Sequence, residues 1–92
     1  MLRIDEIRSV AVIGAGVMGS GIAQTFAQAG YAVRLQARHE GTLRAARDRI
    51  ARSQDAMVRG GLLSEEAARD ALARIHPTTI LEEAFSQNNT TC

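Results

Sequence analysis

Short apolar runs alternate with stretches of helical periodicity along the first half of this chain. Residues 9–13 and 32–36 are the apolar runs, and they predict two buried strands. Residues 17–29 between them predict a helix, with Gly30 just past its end as the C′ residue. This order predicts a strand–helix–strand unit with parallel strands. We expect the helix to turn its larger apolar residues toward the core, namely Met18, Ile22, Phe26 and Ala29.

The longest helical pattern covers residues 42–59. Its apolar and charged positions fall on opposite sides, so it predicts an amphipathic helix that packs along one face. The Gly60–Gly61 pair ends it. The side chains expected to face the core are Leu43, Ala46, Ile50, Met57 and Val58. Those expected to face water are Arg44, Arg47, Asp48, Arg49, Arg52 and Asp55.

A third helix and a third strand follow. Ser64 is a favourable N-cap residue, and the two glutamates after it suit the first turn of a helix running to Ile75. Pro77 ends that helix, because proline disfavours helical geometry in the residue before it. Residues 78–80 then predict a short strand.

Length and composition limit the chain to one small domain. It has 92 residues, of which 46% are apolar and 23% charged, as is usual for a globular protein. Residues 86–92 are polar and aperiodic, so they predict a disordered tail. We therefore place the domain at residues 1–85.

Charge and cysteine content exclude several partners. A net charge of +1 is too small to indicate nucleic acid or a membrane surface. Residues 9–33 carry no charge and could span a bilayer in length, but glycine, glutamine and threonine dilute their hydrophobicity, so we expect no membrane partner. The single cysteine, Cys92, provides neither a disulfide framework nor a metal cluster, which favours the reducing cytoplasm.

A glycine-rich segment follows the first predicted strand. Gly14, Gly16 and Gly19 have the G-x-G-x-x-G spacing that turns a strand into a helix and brings a pyrophosphate close to the backbone. The first glycine makes the tight turn, the second admits the phosphates, and the third lets helix and strand pack closely. The amides of Ala15, Val17 and Met18 are the expected donors to the phosphates. The alternative interpretation is a strand-to-helix packing turn without a ligand.

Four stretches of the chain resemble the N-terminal part of the 3-hydroxyacyl-CoA dehydrogenase family. They are residues 10–24, 26–31, 61–66 and 73–79, and the resemblance covers residues 8–85. It implies an α/β fold with a partial Rossmann-type parallel sheet of about three strands and a helical hairpin inserted before the third. It also implies a separate helical domain and the oxidation of L-3-hydroxyacyl-CoA to 3-oxoacyl-CoA by NAD.

The chain departs from the family pattern where the second strand ends. The family usually has an aspartate there that binds the adenosine ribose, whereas this sequence has Ala37 followed by Arg38. An arginine can pair with the 2′-phosphate of NADP, which an acidic residue would repel. We expect a cofactor site shifted towards NADP or without discrimination between NAD and NADP. The alternative is that these residues form only a solvated turn.

The resemblance also concerns the family's catalytic residues and the residues that bind CoA. The family's catalytic His and Glu match no residue here, and neither His39 nor His76 falls in their motif. We therefore predict no catalytic residue, no metal ligand and no turnover by the isolated chain. In the family the helical hairpin borders the CoA groove, and Ser53 and Arg59 lie near the positions where polar residues would meet CoA.

Two functional hypotheses follow. The first is the NAD- or NADP-binding portion of a 3-hydroxyacyl-CoA dehydrogenase-like oxidoreductase, which meets acyl-CoA only together with the rest of the enzyme. The second is a non-catalytic module that forms homo-oligomers. It rests on the absence of a fourth parallel strand, which would leave one edge of the first predicted strand open to another chain.

Overall fold

Strands and helices alternate in the computed structural model, which describes residues 2–4 and 9–81. The predicted tail, residues 86–92, and Cys92 with it, lie outside the described residues. The strands are β1 (Leu2–Ile4), β2 (Ser9–Ile13), β3 (Ala32–Gln36) and β4 (Ile75–Thr78). The helices are α1 (Val17–Gln28), α2 (Glu40–Arg59) and α3 (Glu65–Ala73).

The strands form one sheet in the order β1-β2-β3-β4. Strands β2, β3 and β4 are parallel, and Val10, Val33 and Ile75 lie side by side in register. These three side chains belong to the core, which also includes alanines of α1 and α3 and Leu43 and Ile50 of α2. The α/β fold with a partial parallel sheet is therefore confirmed, and α2 and α3 form the hairpin between β3 and β4.

Strand β1 is an addition to the predicted sheet. It pairs antiparallel with β2, with Leu2 opposite Val12 and Ile4 opposite Val10. The second hypothesis required this edge of β2 to be open, and that premise is wrong because residues 2–4 pair with it. The oligomerisation hypothesis loses the open edge on which it rested.

The buried face of α1 differs from the predicted one. Its buried residues are the small ones, Gly19, Ser20, Ala23 and Ala27. Met18 is 79% exposed, while Ile22 and Phe26 are half-buried at the margin of the core. Small side chains let the helix axis come close to the sheet, so the larger residues turn outward. The periodicity located the helix correctly but assigned the wrong face to the core.

The end of the third helix also differs from the prediction. Helix α3 ends at Ala73, and β4 starts at Ile75, which was expected to be helical. The carbonyl of Arg74 accepts the N–H of Val33 at 2.9 Å, and the side chain of Ile75 is buried. Sheet pairing and burial thus draw this residue into the strand. Pro77 fits there because β4 is an outer strand, where a missing N–H is tolerated.

The start of α3 confirms the predicted cap. The Oγ of Ser64 accepts the N–H of Ala67 at 3.0 Å. We predict that Ser64→Ala lowers the free energy of unfolding by about 1 kcal/mol, because the N–H then loses its partner. Urea unfolding followed by circular dichroism measures this loss. Ser64→Asp keeps an acceptor and should stay within about 0.5 kcal/mol of the wild type; equal losses in both variants would contradict the capping role.

None of the helices that the structure describes is long and apolar enough to cross a membrane. The uncharged stretch at residues 9–33 is divided between β2, α1 and β3. Its low charge therefore reflects strands and a helix that pack together rather than one continuous apolar helix.

Candidate functional site

The turn between β2 and α1 begins at a glycine in the left-handed region. Gly14 has a φ of 101°, a backbone conformation that residues other than glycine rarely adopt. Its N–H donates to the carbonyl of Gln36 at 2.8 Å, so the turn is tied to the end of β3. Gly14 therefore allows the tight turn, while its own N–H is already bonded to Gln36 and is not free to bind a ligand.

The third glycine of the motif allows α1 to sit directly on this turn. A Cβ at Gly19 would lie 1.9 Å from the carbonyl oxygen of Gly14, far inside van der Waals contact. It would also lie 3.6 Å from a methyl group of Val12 in β2. Gly19 is thus a packing residue that fixes the first turn of the helix against the strand.

The second glycine faces open space. Gly16 is the N-cap of α1, its backbone is extended, and a Cβ there would meet no atom within 4 Å. Among the residues that the structure describes, no acceptor takes the backbone N–H of Val17 or Met18. The first turn contains no acidic residue either. Two amide donors at the positive end of a helix therefore face an accessible space, which is an arrangement that suits an anion.

The neighbouring residues of the motif play different parts. The side chain of Ala15 is buried in the core, whereas those of Val17 and Met18 are largely exposed. Side-chain burial does not decide which backbone amides are available, so the donor roles of Ala15, Val17 and Met18 remain a prediction. The structure thus brings together in one turn the six residues predicted from the motif, Gly14, Ala15, Gly16, Val17, Met18 and Gly19.

The end of β3 lies beside this turn. Ala37 is buried, and its N–H donates to the carbonyl of Thr78 at 3.2 Å. Arg38 is exposed and, within residues 2–4 and 9–81, makes no hydrogen bond or ion pair. His39 is the N-cap of α2, and its side chain makes no capping bond. This end of the sheet therefore offers a cation at position 38 and no acceptor side chain at position 37.

The two residues considered for CoA lie apart on α2. The Oγ of Ser53 accepts a hydrogen bond from Gln24 on α1 at 3.1 Å. Arg59 is 77% exposed and forms an ion pair with Asp55. They are six positions apart along the helix, which places the side chains about 120° apart around the axis. The structure shows them as two separate polar positions rather than one cluster.

Two polar residues of α2 have roles that the sequence reading missed. Gln54 is buried, and its Nε2 donates to the carbonyl of Ala68 on α3 at 3.1 Å. Its spacing of four from Ile50 places it in the apolar stripe, and this spacing could have revealed it. Arg49, which we had expected to face water, is half-buried and donates to the Oγ of Ser20 at 2.9 Å. No sequence pattern points to that contact.

The histidines contribute no cluster. His39 and His76 are both exposed, at the start of α2 and on β4 respectively. In the described part of the chain, no three His, Cys, Asp or Glu side chains come close enough together to hold a metal ion. The anion-binding geometry at the N-terminus of α1 is therefore the feature that the site offers for function.

Comparison with known proteins gives a consistent result. A family profile described as "3-hydroxyacyl-CoA dehydrogenase, NAD binding domain" matches residues 9–90. The chain is 39% identical over 79 residues to a 3-hydroxybutyryl-CoA dehydrogenase of Mycobacterium tuberculosis. It is 37% identical over 79 residues to a probable 3-hydroxybutyryl-CoA dehydrogenase of Bacillus subtilis. Each alignment covers 86% of this chain and 28% of the relative.

A solved structure shares the fold. The (S)-3-hydroxybutyryl-CoA dehydrogenase of Ralstonia eutropha superposes with a TM-score of 0.78 at 34% identity, over 79% of this chain and 26% of that one. The chain thus spans about a quarter of the length of these three proteins. The profile match also extends past Phe85, where we had expected the resemblance to end.

Proposed function

This chain belongs to the 3-hydroxyacyl-CoA dehydrogenase family, and we propose that its glycine turn binds the diphosphate of a nicotinamide dinucleotide. The observation that carries the proposal is that space is open at Gly16 and that the next two amides, those of Val17 and Met18, have no acceptor among the described residues. Diphosphate oxygens are acceptors that suit two outward N–H donors, and the helix dipole favours their negative charge. Gly14 and Gly19 hold this turn in place against the two strands.

The bound dinucleotide would supply hydride chemistry at its nicotinamide ring, and the described residues would supply binding. In the proposal the diphosphate lies at the start of α1, and the adenosine ribose extends towards Ala37 and Arg38 at the end of β3. We do not assign a proton-transferring group among the described residues. The proposed activity of this chain is therefore dinucleotide binding without turnover.

The ribose end suggests weak discrimination between the two cofactors. Ala37 has a buried methyl group at the position where the family usually has an aspartate, so no carboxylate is there to bind the 2′-hydroxyl of NAD or to repel the 2′-phosphate of NADP. The guanidinium of Arg38 is exposed, so it can approach a phosphate. We propose that the site accepts NADP at least as well as NAD.

Titration of the chain with NADH and NADPH in parallel tests both proposals. We expect both cofactors to bind, with NADPH equal to or tighter than NADH, as measured by the quenching or enhancement of dihydronicotinamide fluorescence. Arg38→Met should weaken NADPH by about tenfold and leave NADH within about twofold, because only the 2′-phosphate loses a charged partner. Ala37→Asp should reverse the preference. A clear preference of the wild type for NADH would contradict the selectivity proposal, and no binding of either cofactor would contradict the function.

The proposal for the substrate comes from the proteins to which this chain is similar. Proteins named 3-hydroxybutyryl-CoA dehydrogenase are similar to this chain, so we propose an acyl-CoA as the molecule that the complete enzyme would oxidise. Ser53 and Arg59 are the proposed contacts on α2, and both are exposed to solvent. The proposed compartment is the cytoplasm, which agrees with a single cysteine in the sequence.

A further inference from the structure

A short hydrogen-bonded chain connects α2 to the N-cap of α1. Nη1 of Arg49 lies 2.9 Å from the Oγ of Ser20, and this Oγ lies 2.7 Å from the carbonyl oxygen of Gly16. A guanidinium group can only donate, so the hydroxyl of Ser20 must accept from Arg49. Its single hydrogen is then directed at Gly16. Ser20 is 1% exposed, so water does not compete for either bond.

This chain of bonds fixes the peptide that carries one of the proposed phosphate donors. The carbonyl oxygen of Gly16 accepts from the backbone N–H of Ser20 at 2.9 Å as well as from its hydroxyl. A trans peptide is planar, so the N–H of Val17 points opposite to the carbonyl of Gly16. The bonds to Ser20 keep the carbonyl of Gly16 pointing towards the C-terminus of α1. The N–H of Val17 is therefore kept pointing the opposite way, out of the N-terminus of the helix.

Arg49 also places a positive charge beside the start of α1. Within the described residues it has no carboxylate partner, since the ion pair seen there joins Arg59 and Asp55. Arg49 is half-buried, so water screens its charge less than that of a fully exposed arginine. Its field adds to that of the helix dipole, and an anion bound at the first turn of α1 would be attracted by both.

We propose that Arg49 is a positioning residue for the dinucleotide diphosphate, acting through Ser20 on the peptide that joins Gly16 to Val17. This inference rests on the proposed function, because Arg49 would orient and partly charge the same diphosphate site. Within the described residues, the exposed arginines of α2 donate no hydrogen bond to α1. Arg52 is the matched control, since it lies on the same helix, is exposed, and carries the same charge.

The test uses inorganic diphosphate and the full 92-residue chain. Binding is followed through the backbone amide NMR signals of Val17 and Met18, and each variant is measured well below its own melting temperature. We expect Arg49→Met to weaken diphosphate binding by about five- to tenfold, and Arg52→Met to stay within about twofold. Arg49→Lys keeps the charge and should recover part of the affinity.

Ser20→Ala breaks the hydrogen-bonded chain without removing the charge of Arg49, so it separates the two effects. We expect it to weaken diphosphate binding measurably but by less than Arg49→Met does, because the charge of Arg49 remains. The double variant should bind no more weakly than Arg49→Met alone, because both changes break the same chain of bonds. Both single variants should also shift the resting amide signal of Val17. If Arg49→Met does not fold, Arg49→Lys and Ser20→Ala still decide the question.

The outcomes distinguish this inference from the function on which it rests. If the wild type does not bind diphosphate, the proposed function fails and the inference fails with it. If the wild type binds but Arg49→Met matches Arg52→Met, the effect is bulk charge and the inference alone is overturned. Unchanged binding in Ser20→Ala would also overturn it, because Arg49 would then not act through that hydroxyl.

Discussion

Gly19→Ala is expected to destabilise the chain by about 3 kcal/mol or more, a large fraction of what a domain of this size can have. The new Cβ would lie 1.9 Å from the carbonyl oxygen of Gly14. Both groups are fixed: Gly14 is tied to Gln36 through its N–H, and Gly19 is part of a helix. Neither can yield without opening the turn or lifting α1 from the sheet. Urea unfolding followed by circular dichroism measures the loss.

Gly21→Ala is the matched control for this change. Gly21 lies two residues further along the same helix, and a Cβ there would meet no atom within 4 Å. Alanine is the better helix former, so Gly21→Ala should stabilise the chain by about 0.5–1 kcal/mol. Opposite signs for two identical substitutions would locate the effect at the contact with Gly14. If Gly19→Ala were as stable as the wild type, the packing contact between α1 and the turn would be wrong.

The sequence predicted those features that depend on neighbouring residues. Strands β2 and β3 have the predicted bounds, and Ser64 caps its helix as expected. Gly30 follows the end of α1 with a φ of 102°, as its assignment to the C′ position requires. In each case a few consecutive residues determine the conformation, so a local pattern is sufficient to find it.

The features that were missed depend on contacts between distant residues. Met18 belongs to the apolar stripe of α1, yet the close approach of the helix to the sheet selects the small face instead. Ile75 leaves the predicted helix because its neighbour Arg74 pairs with Val33 far along the chain. Strand β1 was not predicted because three residues carry too weak a periodic signal.

The candidate site shows the same division. The three spaced glycines indicated an open helix N-terminus, because their spacing is local and each glycine has a separate steric reason. The contact between Arg49 and Ser20 spans 29 positions and depends on how α1 and α2 pack. An arginine among several on a charged face gives no sign of this in the sequence. The open turn at the start of α1 could therefore be predicted, whereas the contact that reaches it from α2 required the structure.

Gly16→Val is expected to abolish measurable dinucleotide binding, with at least a tenfold loss of affinity, while the fold is kept. The extended backbone at Gly16 suits a β-branched residue, and its Cβ would contact no protein atom. The side chain would instead occupy the space through which a diphosphate must approach the N–H groups of Val17 and Met18. The unfolding free energy should change by no more than about 1 kcal/mol, since valine is a poorer N-cap than glycine.

NADH titration by fluorescence, with urea unfolding of the same preparations, separates binding from folding in this variant. Gly21→Ala is again the control, because it adds a side chain one turn further along α1 and should bind NADH within about twofold of the wild type. Loss of binding in Gly16→Val with normal stability is the result that the proposed site requires. If Gly16→Val binds NADH like the wild type, the diphosphate does not lie against this peptide. The amides at the start of α1 would then be exposed without being used, and the binding site would have to be sought elsewhere on the chain.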